Sequence, residues 1–356
     1  MRDPFIVPAP EWVIKATTPI AERLALPTLP FHIHEIFLAF CMYQTIHSYI
    51  SPALSRLFVP QRYAAFNKRT RINWDVHTVS LTQSLIVNSV ALYLIFYDEE
   101  RKNMNWAGRI WGYDGASGML QGLAGGYFIW DLIITIRWLD IFGVGMLMHA
   151  ISAVTVFSLG FRPFLNYYGP VFVLYELSSP ALNMHWFMDK LQLTGSIYQL
   201  INGIILISTF FFCRLVWGSI NSVYVFTDIW HAMQHTGLGD DMMPLSPDSV
   251  PVFADATGVM QFAGRRELPV WLALSYLASN IVLNVLNYYW FYKMIQTLRS
   301  RFEPPLGTKR AESKSKSAET KQEILNEEPL VQKGVFDDGR KTLEIQGREL
   351  RSRRRG

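Results

Sequence analysis

The residues with the clearest chemical potential are polar side chains that interrupt long apolar runs of the chain. Asp131, His149, Glu176, Asn183 and Arg214 each lie inside such a run. A charged side chain near the middle of a bilayer costs at least ~2.5 kcal/mol, so such residues tend to face protein, water or a ligand. We therefore predict that these five residues bind a polar ligand or hold neighbouring helices together.

The stretch VFVLYELSSPALNMHWFMDK, residues 171–190, is rich in such residues. Glu176, Pro180 and Asn183 recur at helical spacing, which places them on one face of a helix. Pro180 has no backbone N–H to donate to the carbonyl of Glu176, so the pattern predicts a kink with a polar face for water, a proton or a headgroup. The alternative is that Glu176 pairs with Arg214 only to fix helix packing.

His149 is the candidate catalytic residue. It shares a helix face with Gly145 and Ser152. A histidine inside a membrane can act as a base or simply hydrogen-bond a neighbouring helix, and the sequence leaves both open. Arg214 likewise either extends to the headgroups or holds a phosphate or Glu176. Asp131 can bind a proton, a headgroup or a partner arginine.

A stripe of glycines indicates a close contact between helices. Gly118, Gly122 and Gly126 recur at every fourth position of GMLQGLAGGYFIWDLIITIR. A face without side chains lets another helix approach closely. We predict these three as helix-packing residues.

No metal site is predicted. Cys41 and Cys213 lie in apolar runs, where cysteine behaves as a small apolar residue. In DIWHAMQH, Asp228, His231 and His235 would share one face of a helix. Such spacing can hold zinc, but the match is weak without a further strong ligand.

Membrane-spanning helices must position these residues. Half of the 356 residues are apolar, and the mean hydropathy is +0.14. Runs of roughly 20 apolar residues match a helix that crosses a ~30 Å hydrocarbon layer. The predicted fold is an all-α polytopic membrane bundle of about seven transmembrane helices. Their predicted bounds are 32–51, 76–97, 118–137, 141–160, 165–183, 197–218 and 268–292.

Basic residues predict the orientation. The loop after the first span is rich in Lys and Arg, and the chain ends in RSRRRG. Cytosolic loops are enriched in these residues, so both regions are predicted to be cytosolic and the N-terminus lumenal. This requires an even number of crossings between the two regions, and it favours a full crossing over a kinked, re-entrant path for 165–183.

The chain divides by composition into four parts. These are an N-terminal segment (1–30), a first transmembrane helix with its basic cytosolic loop (31–68), a six-helix domain (69–297) with a long loop at 228–267, and a disordered basic cytosolic tail (298–356). The tail can contact anionic lipid headgroups or remain solvated. No nucleic-acid motif is found.

The pattern resembles the TLC domain, the membrane module of TRAM-like proteins, ceramide synthases and CLN8-like proteins, from about Arg69 to about Lys293. The motif of Glu176, Pro180, Asn183 and Trp186 is similar to that of the fungal and TMEM-type branch rather than the ceramide synthases. The resemblance is carried by RINWDVHTVSLTQS (71–84), GYFIWDLI (126–133), MHAISAV (148–154), YELSSPALNMHWFMDK (175–190) and NGIILISTFFFCRLVWG (202–218).

The resemblance implies residence in the endoplasmic reticulum and a role in lipid homeostasis, with sphingolipids among the candidates. The protein would bind, sense or move a lipid, with Asp131, Glu176, Asn183, Trp186 and Arg214 at the headgroup. The expected partner is a membrane lipid, and homo-oligomers are possible.

The alternative is a ceramide-synthase-like N-acyltransferase. His149 would be the general base toward a sphingoid amine, with acyl-CoA as donor and no other cofactor. Ceramide synthases, by resemblance, have adjacent histidines where this chain has Met148 and His149, so whether the protein is an enzyme stays open.

Overall fold

The structure, a computed structural model, describes residues 3–234, 258–262 and 268–302. These residues form helices and connecting turns, and no strand occurs among them. The helices are α1 (Glu11–Leu24), α2 (Leu29–Thr45), α3 (Ser51–Phe58), α4 (Pro60–Ala65), α5 (Lys68–Tyr97), α6 (Glu99–Lys102), α7 (Trp106–Trp111), α8 (Gly115–Arg137), α9 (Leu139–Leu159), α10 (Tyr168–Val173), α11 (Ser179–Lys190), α12 (Ile197–Thr209), α13 (Gly218–Gln234) and α14 (Val270–Phe302).

Short polar side chains set where several long helices begin. Asn67 accepts a hydrogen bond from the backbone N–H of Thr70 and caps α5. Asp114 accepts from two N–H groups in the first turn of α8, and Ser196 caps α12 in the same way. Such caps satisfy N–H groups that have no partner within the helix.

Three short segments depart from α-helical geometry. Two are π-helical, Ile46–Ile50 between α2 and α3 and Phe210–Trp217 between α12 and α13, and the third is the 3₁₀ segment Leu174–Ser178 between α10 and α11. A kink inside α9 falls at Gly143, whose φ of 78° is a conformation that glycine adopts without a Cβ penalty.

The long apolar helices confirm an integral membrane bundle, whereas the count of seven crossings is not confirmed. In the described part of the chain, five helices are long and apolar enough to cross a membrane. They are Lys68–Tyr97, Gly115–Arg137, Leu139–Leu159, Ile197–Gln234 and Val270–Leu298. A sixth candidate is the pair Glu11–Leu24 and Leu29–Phe58, which is bent by 108°.

Two expected boundaries differ from the structure. The predicted span 165–183 is not one long helix but a turn followed by α10, the 3₁₀ segment and α11. The long loop predicted from 228 begins later, because α13 stays helical to Gln234 with Val225, Ile229 and Ala232 buried on one face. Most of that loop and nearly all of the tail lie outside the described residues.

α8 is the central helix. It packs against α2, α5, α9 and α10. Of its apolar stretch 72% is buried, against 22–39% for the four other long helices. Its side chains therefore face protein on nearly all sides.

The glycine stripe of α8 lies against α2. A Cβ at position 118 would lie 2.4 Å from Nε2 of His32, and one at position 122 would lie 2.5 Å from Oε2 of Glu35. At position 126 it would lie 2.6 Å from the carbonyl oxygen of Ile36. Gly118, Gly122 and Gly126 thus leave the room that α2 occupies.

Candidate functional site: a polar cavity inside the bundle

A cavity of about 70 Å³ lies where α5, α8, α9, α11 and α14 meet the two irregular segments around Glu176 and Arg214. This volume has room for several water-sized groups. Its lining combines charged, polar and apolar residues: Val76, His77, Ser80, Tyr127, Asp131, Phe142, Met146, His149, Glu176, Ser179, Leu182, Asn183, Phe210, Arg214 and Trp290. Asp131, His149, Glu176, Asn183 and Arg214, singled out in the sequence, all line it.

Glu176 and Arg214 form an ion pair in the wall of the cavity. Arg214 Nη2 lies 3.4 Å from Glu176 Oε1, and both side chains are buried. Ser179 donates its hydroxyl hydrogen to Glu176 Oε2 at 2.8 Å. Of the two expected roles of Arg214, extension to the headgroups is therefore wrong. The side chain points into the bundle and holds Glu176.

The guanidinium of Arg214 is further held by neutral oxygens. Its Nε donates to Ser178 Oγ at 3.0 Å, and its Nη1 donates to Asn287 Oδ1 at 3.1 Å. Its Nη2 also lies 3.3 Å from Ser179 Oγ. A planar group with five donors can bind all these oxygens at once, which a lysine ammonium cannot do.

Glu176 and Arg214 both lie on backbone that departs from α-helical geometry. Glu176 lies in the 3₁₀ segment and Arg214 in the π-helical segment Phe210–Trp217. Pro180 lies in the first turn of α11, and the Glu176 carbonyl accepts instead from the backbone N–H of Ser179. Short 3₁₀ and π segments inside helices are frequent at functional sites.

His77 and Asn183 join α5 to α11 beside the ion pair. His77 Nδ1 lies 2.6 Å from Asn183 Oδ1, and the Asn183 amide donates to Ser80 Oγ at 3.1 Å. Trp186 does not line the cavity. Its ring stacks on that of His77 with centroids 4.2 Å apart, so it supports the cavity wall from behind.

Asp131 is the unpaired charge of the cavity. Its side chain is 6% exposed, and within the described residues its carboxylate has no hydrogen bond and no ion pair. A buried carboxylate is normally paired, so Asp131 can accept from a donor that enters the cavity. The lining thus holds two carboxyl groups, Asp131 and Glu176, and one guanidinium, Arg214, so one carboxylate has no counter-charge in the lining.

His149 faces the same space. Its Nδ1 is buried and has no hydrogen-bond partner in the part of the chain that the structure describes. Its ring lies against Trp290, with centroids 5.5 Å apart. No carboxylate is bonded to the ring there, so the acid that often orients a catalytic histidine is missing.

The DIWHAMQH segment does not form a metal site with Asp228. Arg109 Nε and Nη2 each donate to the Asp228 carboxylate at 2.7 Å, and the Tyr168 hydroxyl donates to it at 2.7 Å. Hydrogen bonding to Asp228 raises the pKa of Arg109 above its ordinary value. Asp228 is thereby committed to joining α13 to α7 and α10, and His235 lies outside the described residues.

Four polar residues of the cavity wall were given no ligand-binding role from the sequence: His77, Ser80, Tyr127 and Ser179. His77 carried a signal, because it is a titratable residue at the start of an apolar run. Serine and tyrosine carry little signal, since both occur in transmembrane helices without a ligand.

Together the fold and the cavity define an integral membrane protein, an all-α bundle that encloses a small charged cavity. Within that class, the chain belongs to the TLC domain family. The family model described as the TLC domain matches residues 73–296. This range contains the whole lining of the cavity.

Individual relatives agree with the family assignment. The chain is 36% identical over 284 residues to an uncharacterized TLC domain-containing protein of Schizosaccharomyces pombe, covering 80% of this chain and 84% of the relative. It is 29% identical over 279 residues to topoisomerase I damage affected protein 4 of Saccharomyces cerevisiae, covering 77% and 86%. It is 26% identical over 260 residues to TLC domain-containing protein 4 of Homo sapiens, covering 72% and 85%.

Proposed function

We propose that this protein binds the polar headgroup of a membrane lipid in the cavity and thereby acts in lipid homeostasis, by sensing or moving that lipid. The observation that carries the proposal is the unpaired carboxylate of Asp131, which faces a cavity of about 70 Å³ beside the Glu176–Arg214 pair. A ligand that brings a hydrogen-bond donor to Asp131 would satisfy a buried group that has no partner among the described residues.

A lipid is favoured over a water-soluble ligand because the cavity lies among membrane-spanning helices. Apolar side chains such as Phe142, Leu182 and Trp290 line it together with the charged ones. A small polar site with apolar walls suits a headgroup whose chains continue among the helices. We further propose residence in the endoplasmic reticulum with a lumenal N-terminus and a cytosolic C-terminus, since both basic regions would then face the cytosol.

Mass spectrometry of copurified lipid tests the proposal. The full chain and its Asp131→Asn variant are purified in mild detergent, and the bound lipids are extracted and quantified. Removing a charged hydrogen-bond partner costs about 1.5–3 kcal/mol, so occupancy at limiting lipid should fall about tenfold or more. Asp140→Asn is the matched control, because Asp140 is exposed and lies outside the lining. Equal retention of lipid by all three proteins would reject the proposal.

A second candidate function is N-acyl transfer. It is favoured by Nδ1 of His149, which faces the cavity and has no hydrogen-bond partner in the described part of the chain. His149 would take a proton from a sphingoid amine while the amine nitrogen attacks the thioester carbonyl of acyl-CoA. The amide bond forms, the carbon–sulfur bond breaks, and the coenzyme A thiolate leaves and receives the proton.

Incubation of the purified chain with acyl-CoA and a sphingoid base tests this candidate. The transferase would give an amide product that His149→Ala abolishes. Absence of product with the full chain over a wide range of acyl chains would leave the binding function alone.

A further inference from the structure

A second cluster of titratable side chains lies away from the cavity, at the start of α2. Asp3 Oδ2 lies 3.6 Å from His32 Nδ1, and Glu35 Oε2 lies 2.8 Å from the same nitrogen. The three ligand atoms all lie within 4.8 Å of one another. Two carboxylate oxygens and an imidazole nitrogen are a ligand set suited to zinc.

Glu35 is a buried carboxyl group with one oxygen that the described part of this cluster leaves unbonded. Its side chain is 0% exposed, and its Oε1 has no hydrogen-bond partner within the described residues. Two acidic side chains converge here on one histidine, and a cation bound between them would add the positive charge that balances their ionised forms. Burying carboxylates without such a charge is costly, and a divalent cation supplies it.

The far side of His32 matches the environment of a metal-bound histidine. Its Nε2 lies 2.5 Å from the Tyr113 hydroxyl oxygen, so that nitrogen can donate its hydrogen there. Nδ1 is then the nitrogen with the lone pair, and it faces Asp3 and Glu35. Ligating histidines commonly hydrogen-bond through the other ring nitrogen, which fixes the tautomer.

The geometry also allows an ion of the right size. Ligand atoms that lie about 2.0–2.1 Å from a tetrahedral zinc ion are about 3.3 Å from one another. This value falls between the distances from His32 Nδ1 to Glu35 Oε2, 2.8 Å, and to Asp3 Oδ2, 3.6 Å. The Asp3 side chain is 32% exposed, which leaves a way in from solvent. Gly118 and Gly122 of α8 close the other side, where a Cβ would collide with His32 and Glu35.

We infer that Asp3, His32 and Glu35 bind a divalent transition-metal ion, zinc by its ligand set, that ties the N-terminal segment to α2. The site joins a residue that precedes α1 to a helix that packs on the glycine stripe of α8. Its function is to hold that segment in place, and it is independent of the lipid cavity.

The test is the zinc content of the full chain, purified without chelator and measured by mass spectrometry. We expect about one zinc ion per chain, removed by chelator and restored by added zinc. His32→Ala and Glu35→Gln should each weaken zinc binding at least about tenfold. His231→Ala is the matched control, because His231 is exposed on α13, outside the N-terminal segment and α2.

A second measurement guards against variants that fail to fold. Cobalt added to the chelator-treated full chain should give the visible absorption of a low-symmetry site with nitrogen and oxygen ligands, and zinc should displace it. A folded full chain that takes up neither ion would overturn the inference. So would a chain from which His231→Ala removes zinc as completely as His32→Ala.

Discussion

At the scale of single residues, one arginine holds the wall of the cavity together by donating hydrogen bonds to several acceptors. Arg214 binds Glu176, Ser178 and Asn287 at the same time. The cost of an intramembrane charge made Asp131, His149, Glu176, Asn183 and Arg214 stand out in the sequence. Their distances from one another could not be read there, because they lie on five different helical segments.

Removing Arg214 should strongly destabilise the bundle. Arg214→Met leaves Glu176 buried without its counter-charge, and breaking such a pair costs about 3–5 kcal/mol. The measurement is thermal unfolding in detergent, with Arg137→Met as control because Arg137 is exposed at the end of α8. Adding Glu176→Leu to Arg214→Met should recover part of the loss. A double variant that loses as much as the sum of Arg214→Met and Glu176→Leu measured separately would show that the two residues are not coupled.

Trp186, which stacks on His77, should contribute about as much to the free energy of unfolding as the Glu176–Arg214 pair. Trp186 is fully buried, and its replacement by alanine is expected to cost about 3–5 kcal/mol. Trp186→Phe keeps an aromatic ring behind His77 and should cost less. Chemical unfolding of the two variants beside the parent chain measures the difference. Identical losses would contradict a stabilising contact between His77 and an aromatic ring at position 186.

At the scale of elements, the contact between α2 and α8 supplies a pair of adjacent glycines with opposite expectations. A Cβ at Gly126 would lie 2.6 Å from the Ile36 carbonyl oxygen, whereas one at Gly125 finds its nearest atom at 4.0 Å. Gly126→Ala should therefore destabilise the protein by about 1–3 kcal/mol. Gly125→Ala should be neutral or stabilising by up to about 1 kcal/mol. Thermal unfolding compares them, and equal effects would contradict the close approach.

The lengths of the apolar runs and the spacing of the glycines predicted most of the long helices, because both patterns can be read within one segment of the sequence. The irregular segments around Glu176 and Arg214 could not be predicted in the same way. Pro180 indicated a break, but the 3₁₀ geometry before it and the π geometry around Arg214 accompany contacts between distant residues. The cluster of Asp3 with His32 was missed for the same reason, since 29 positions separate them in the sequence.

At the scale of the whole molecule, the open question is how the chain crosses the membrane between Tyr168 and Lys190. All five single long helices follow the first basic loop. Five crossings would place that loop and the basic tail on opposite sides of the membrane. A sixth crossing by α10, the 3₁₀ segment and α11 would place them on the same side, in agreement with the enrichment of cytosolic loops in basic residues.

The side on which the α11–α12 connection lies decides between these topologies. In a chain with Cys41 and Cys213 replaced by alanine, single cysteines are introduced at Arg62, Asn103 and Thr194, all exposed. Labelling by a membrane-impermeant maleimide in sealed vesicles is compared before and after permeabilisation. If Tyr168–Lys190 crosses, Thr194→Cys reacts on the same side as Arg62→Cys, since α5, α8, α9 and this segment make four crossings between them. Asn103→Cys, one crossing from Arg62, reacts on the other side. If the segment is re-entrant, Thr194→Cys reacts together with Asn103→Cys. Glu176 then lies on a segment that enters and leaves the membrane on one side, paired with Arg214 of the crossing helix Ile197–Gln234.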